Sequence, residues 1–263
     1  MKKNILVALS LLGFSVALAP VLASAATAVT TSANITTPVA TVTMSASAMA
    51  AAKARGDKEL DRRIAALTDV NARIQTMQKV TDAFKQNLAT NIQTQITGFA
   101  ALKSKIQADT DAGVLKADVT SITQSYRVYA LILPQVRIAA AADRGVLIAE
   151  MMTTLGNKLA ARIQAAGKGG ADVTALTASL NDLGAKISDA STQAQASVST
   201  SAALTPDGGD KTKMASNTAT LAKARANLAA AEKDFQAARK DIDSIIKGLK
   251  VAASATTNTT VSH

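Results

Sequence analysis

Four charged residues lie inside the most apolar stretch of the chain, residues 128–155: Arg137, Asp143, Arg144 and Glu150. Seven residues are close to two helical turns, so Arg137 and Arg144 share a face, as do Asp143 and Glu150. Charges among apolar neighbours need partners, because stripping one member from a buried pair costs roughly 3–5 kcal/mol. The pattern predicts an internal ion-pair layer that fixes helix register. The rival reading is a ligand site in which Arg137 and Arg144 act together with Tyr126, Arg127 and Tyr129.

Other short patterns have plainer readings. Arg55-Gly56-Asp57 spells a tripeptide that integrins recognise, yet Gly56 and Asp57 are also ordinary helix-start residues. Asp109-x-Asp111-x-Gly113 opens like a calcium loop, but the twelfth position is Thr120 where an acid is needed, so a capped helix end accounts for it better. Pro206-Asp207-Gly208-Gly209-Asp210 supplies turn geometry. The one histidine is His263 at the end of the chain, which leaves no basis for histidine-centred acid–base, triad or metal chemistry. The expectation is a protein without catalytic residues, metal or cofactor.

The elements that must position these residues read as helices throughout. An apolar stripe runs Leu60, Ile64, Leu67, Val70, Ile74, Met77, Val80, Phe84, Leu88, Ile92, Ile96, Phe99, Leu102 and Ile106. Its mean step is about 3.5 residues, which predicts one long helix with a slight left-handed wrap. Asp57 is placed as its N-cap, and Asp109, Asp111 and Gly113 as its stop. Residues 114–166 predict a central helix, apolar nearly all round over 128–155 and interrupted at Pro134. Gly167–Gly170 breaks it, and Asp172 caps a third helix whose seam is Val173, Leu176, Leu180, Leu183, Ile187, Ala190 and Ala194. After the 206–210 turn, a fourth helix carries Leu221, Ala224, Leu228, Ala231, Phe235, Ala238, Ile242, Ile245 and Leu249. The fold expected is all-α: an elongated antiparallel helical bundle of coiled-coil-like hairpins with disordered termini. One hairpin covers 52–168 and a second 169–251, flanked by an Ala/Thr/Ser tether at 26–51 and a tail at 252–263.

Address and charge come from the ends. Lys2 and Lys3 precede an apolar run from Ile5 to Ala19, Pro20 breaks it, and Ala23-Ser24-Ala25 offers small residues ahead of Ala26. This is the order a signal peptidase reads, so 1–25 is expected to be a signal peptide and the protein exported, either secreted or in the envelope or periplasm. Removing Lys2 and Lys3 from 29 basic residues leaves 27 against 19 acids, a net charge of +8 and no membrane span in the mature chain. Such a balance draws anionic envelope components. Specific nucleic-acid recognition is not expected, because only Phe84, Phe99, Tyr126, Tyr129 and Phe235 remain for stacking. With no cysteine, stability rests on burial.

Taken together, Arg55-Gly56-Asp57, Asp61-Arg62-Arg63-Ile64, Ser125-Tyr126-Arg127-Val128-Tyr129, Ala142-Asp143-Arg144 and Asp210-Lys211-Thr212 carry a resemblance. The chain resembles uncharacterised, signal-peptide-bearing α-helical proteins of small-genome, uncultivated candidate-phyla bacteria. The resemblance implies export and helical form, and no functional residue. The function expected is a non-catalytic envelope or secreted scaffold or interaction module, binding a protein or an anionic envelope component, with self-association left open. The alternatives are an extracytoplasmic chaperone or carrier that exposes an apolar groove, and adhesion to anionic envelope polymers or a membrane surface through the basic faces of the second and fourth expected helices.

Overall fold

The structure, a computed structural model, describes residues 44–124 and 128–259. Among them it is all-α: α1 (Ala46–Gln75), α2 (Asp82–Ala108), α3 (Ala112–Gln124), a π-helical turn (Val128–Ile132), α4 (Leu133–Lys168), α5 (Thr174–Ala202) and α6 (Lys211–Thr259). None of these helices is long and apolar enough to cross a membrane. The proposed cleavage residues Ala23, Ala25 and Ala26, and Tyr126 and Arg127, lie outside the described residues.

The stripe from Leu60 to Ile106 does not form one helix. It breaks at Thr76–Thr81, and α2 folds back antiparallel on α1. Lys53 Nζ donates to the Gln107 carbonyl at 2.7 Å, Gln107 Nε2 donates to Asp57 at 2.6 Å, and Lys103 pairs with Asp61 at 2.6 Å. The apolar rhythm survives the turn because Ile74, Met77, Val80 and Phe84 are all buried across it. No glycine or proline marks the break. Its local signals are the Thr76 C-cap and Thr81, whose hydroxyl accepts from Phe84 N.

Both ends of the helical region extend further than composition predicts. The 26–51 stretch turns helical at Ala46, N-capped by Ser45, because alanine is the strongest helix former and Met49 and Ala52 pack on the core. Asp57 therefore lies inside α1 and not at its start. At the other end α6 runs through the expected tail to Thr259, as no glycine or proline follows Gly248 to stop propagation.

The expected central helix corresponds to α3, the π-helical turn and α4 among the described residues. Pro134 lacks an N–H and crowds the turn before it, and it sits in the first turn of α4, where the backbone passes from π- to α-helical. The π-helical turn precedes it, and α3 packs separately on α1 and α2. Gly56 makes this approach close: a Cβ there would meet Val119 and Ile106 side chains at 3.4–3.5 Å.

Two main cores result, and α4 belongs to both. The first is built from α1, α2, α3, the π-turn and Val136 and Ala139 of α4. The second joins α4 from Ala142 to Ile163 with α5 and α6. Between them Leu131, Ile138, Leu204, Leu221 and Ala224 form a small third cluster, and Val198 touches both large ones. Gln135, almost fully buried, donates to the Ser201 carbonyl at 2.7 Å and ties the start of α4 to the end of α5. The two breaks seen in the sequence are where the glycines act. Gly170, Gly208 and Gly209 all take positive φ, in the α4–α5 and α5–α6 connections.

Candidate functional site

Of the four charges in the apolar stretch, the structure ties two to the α1–α2 turn, a buried Asp143 and an exposed Glu150, and leaves the other two without an ion-pair partner among the described residues. Asp143 is buried on α4, and its Oδ1 accepts from the backbone N–H of Lys79 in the α1–α2 turn. Glu150, seven residues on, pairs with the Lys79 ammonium at 2.7 Å. One residue of the turn is thus held at backbone and side chain by two carboxylates of α4. Arg137 and Arg144 are exposed, and neither forms an ion pair among the described residues. The internal layer of Arg137, Asp143, Arg144 and Glu150 is therefore not formed. The acids do need a cation and a donor, but a tertiary neighbour supplies both, so the arginines are free to face water.

What those arginines share becomes clear along α4. At 3.6 residues per turn, Arg137, Arg144, Leu147, Met151, Leu155, Lys158 and Arg162 fall within a sector of roughly 80°. Met151 is 61% exposed and Leu155 37%, and Leu147 is half-buried. The opposite side of the same helix buries Ala142, Ala149, Met152, Leu159 and Ile163. The only acids on α4 are Asp143 and Glu150, both turned to Lys79. The open face thus has one sign of charge around an exposed aliphatic row.

A cleft of about 460 Å³ lies beside Asp143. Val80, Phe84, Val146 and Val198 give it apolar walls, and Lys79, Thr81, Asn87, Asp143, Gln195 and Ser199 its polar ones. The α1–α2 turn leaves this opening next to the Asp143 carboxylate.

Tyr129 sits apart from the α4 arginines. It projects from the π-turn, 40% exposed, with the guanidinium carbons of Arg62 and Arg63 each 5.1 Å from its ring centroid. Arg63 is buried and Glu59 pairs with it and with Arg62. Desolvation by burial lowers the Arg63 pKa. Two cations on one ring pin the π-turn to α1. This is the packing alternative for Tyr129, and it does not join Arg137 and Arg144.

The remaining candidates are structural. Arg55-Gly56-Asp57 lies in mid-helix with Gly56 buried, away from any loop tip. Asp111 Oδ1 accepts from Val114 N at 2.9 Å as the cap of α3, and Asp109 closes α2. Asp210 caps α6 by accepting from Thr212 and Lys213 N–H groups. No group of three His, Cys, Asp or Glu side chains among the described residues is arranged to hold a metal ion.

Lys79, Arg62 and Arg63 are the residues that sequence reasoning left unassigned at these sites. Nothing local singles out Lys79, since its partners are 64 and 71 positions away. Met151, Leu155, Lys158 and Arg162 were legible: continuing the seven-residue Arg137–Arg144 spacing lands on Met151 and Lys158, and Leu155 and Arg162 lie one turn beyond each. No protein-family model, curated protein or solved structure matches the chain.

Proposed function

We propose that the protein is a non-catalytic, exported helical scaffold or interaction module, and that the open face of α4 is its working surface. The observation that supports this is the combination on one helix of a side locked into two cores and a side that leaves Met151 and Leu155 in solvent between four cations. Exposed aliphatic side chains cost solvation, and a continuous row of them on a rigid helix is characteristic of a contact surface. The cations direct that contact toward an anionic partner in the envelope. Export rests on the Lys2–Ala26 leader.

The test is retention on native envelope fragments. A Met151→Glu/Leu155→Glu variant should lose retention by about tenfold or more, as hot-spot anchors do, with an unchanged melting temperature because both side chains are exposed. Equal retention of variant and wild type would overturn the reading.

The carrier reading is favoured by a different observation, the partly apolar cleft beside Val80, Phe84, Val146 and Val198. A carrier should suppress aggregation of an unfolded client and lose that activity in Val198→Trp, which fills the cleft. A scaffold should show neither effect.

A further inference from the structure

We infer that the open face of α4 docks on the surface of an anionic phospholipid bilayer. The inference rests on α4 being the working surface and goes on to name what covers it. Arg137, Arg144, Lys158 and Arg162 are all exposed and form no ion pair among the described residues. They flank Leu147, Met151 and Leu155, and both acids of α4 are committed to Lys79 on another side. The face is therefore complementary in charge to lipid phosphates along its whole length.

Shape and composition narrow the occupant. From residue 137 to 162 the face runs about 38 Å at 1.5 Å per residue, far beyond the span of a small anion. It is a ridge on one helix and not a groove. Lys and Arg meeting phosphates while Met and Leu enter the headgroup–acyl boundary is how an amphipathic helix lies on a bilayer. A protein partner of ordinary affinity would use aromatic or arginine anchors at the centre of a larger apolar patch, whereas here the centre is three aliphatic side chains and the cations lie outside them. Because the other side of α4 is fixed in two cores, the ridge is preformed and loses little conformational freedom on contact.

The chain has no cysteine, so one introduced thiol labels one position. The experiment places an environment-sensitive fluorophore in the full chain at Met151→Cys on the face, and separately at Ser188→Cys, an exposed site on α5. Phosphatidylglycerol vesicles should shift the label at 151 to the blue and leave the label at 188 unchanged, while phosphatidylcholine vesicles should shift neither. Adding Arg144→Glu/Arg162→Glu should raise the half-saturating lipid concentration about tenfold or more, since each basic group near an anionic leaflet contributes several-fold, with the helical circular dichroism preserved. No shift at 151, or equal shifts at 151 and 188, overturns the inference; the second result would assign binding to another part of the chain. A shift produced equally by inorganic polyphosphate without lipid also overturns it, in favour of a soluble polyanion. If vesicles fail while Met151→Glu/Leu155→Glu still abolishes envelope retention, the lipid inference falls and the α4 working surface stands. If that variant also retains binding, both fall.

Discussion

The two cores that share α4 differ in how far small side chains fill them. Around α1–α3 the buried side chains are bulky: Leu60, Leu67, Ile74, Leu88, Ile92, Phe99 and Ile106 are almost wholly inaccessible. Along the α5–α6 pair, alanine and serine alternate with Leu183, Ile187, Ile242 and Ile245: Ala190, Ala194, Ser197, Ser201, Ala231 and Ala238 are buried there, and Phe235 is the one ring. Large side chains hold helices apart and gain stability from area removed from water. Small ones let backbones approach and gain it from close packing. At Gly145 that approach is measurable: a Cβ there would lie 3.3 Å from the Ala194 Cβ. The first core should therefore be vulnerable to loss of volume and the second to its addition.

The largest effect that tests this contrast is Phe99→Ala, expected to cost about 3–5 kcal/mol in urea unfolding because the ring is fully buried. Next is Ala194→Leu, expected to cost about 1–3 kcal/mol by overpacking against Gly145. A neutral Ala194→Leu would show that the α5–α6 seam is loose, and the contrast would fail.

A comparable cost tests the clamp that joins the cores. Asp143→Ala leaves the Lys79 N–H without its acceptor and should cost about 1–3 kcal/mol, with Asp143→Asn losing less because an oxygen remains. If the alanine variant matched wild type in the same unfolding curve, the α1–α2 turn would not depend on α4.

The smallest effect concerns the second region alone. Lys186 donates to Asp182 and, at 2.9 Å, to Asp241 of α6; these hydrogen bonds raise its pKa above 10.5. A raised lysine holds its proton more tightly when folded, so this stabilisation is fully present below the ordinary value and is lost as pH rises through the raised one. Lys186→Met should therefore melt slightly below wild type at neutral pH, and the two curves should converge in strong alkali. A difference that persists there would assign the loss to packing of the lysine stem.

The same contrast explains what was legible beforehand. The seam of α5 and α6 could be read residue by residue, since Leu183, Ile187, Ala190 and Ala194 keep heptad spacing and glycines mark both connections. In the first region the helices are stopped by tertiary partners. Asp143 and Glu150 hold the Thr76–Thr81 turn from another helix, and the unbroken rhythm of Ile74, Met77, Val80 and Phe84 conceals it. At the candidate site the acids at 143 and 150 meet Lys79 and not the arginines of the expected layer. Which cation answered them depended on a fold-back that composition does not encode, and with it the destination of Arg137 and Arg144.

One last consequence follows from α4 reaching all three clusters within five positions, through Ile138, Ala139 and Ala142. A helix so engaged is a ruler as well as a wall. One residue inserted between Ala142 and Ala149 would turn everything beyond it by about 100°, detaching one core's contacts while the other's stayed in place. The loop around Gly169 and Gly170 carries no such constraint and can lengthen at small entropic cost. The chain should thus accept insertions, tags or drift in length at that connection, and reject a single added residue in the middle of α4.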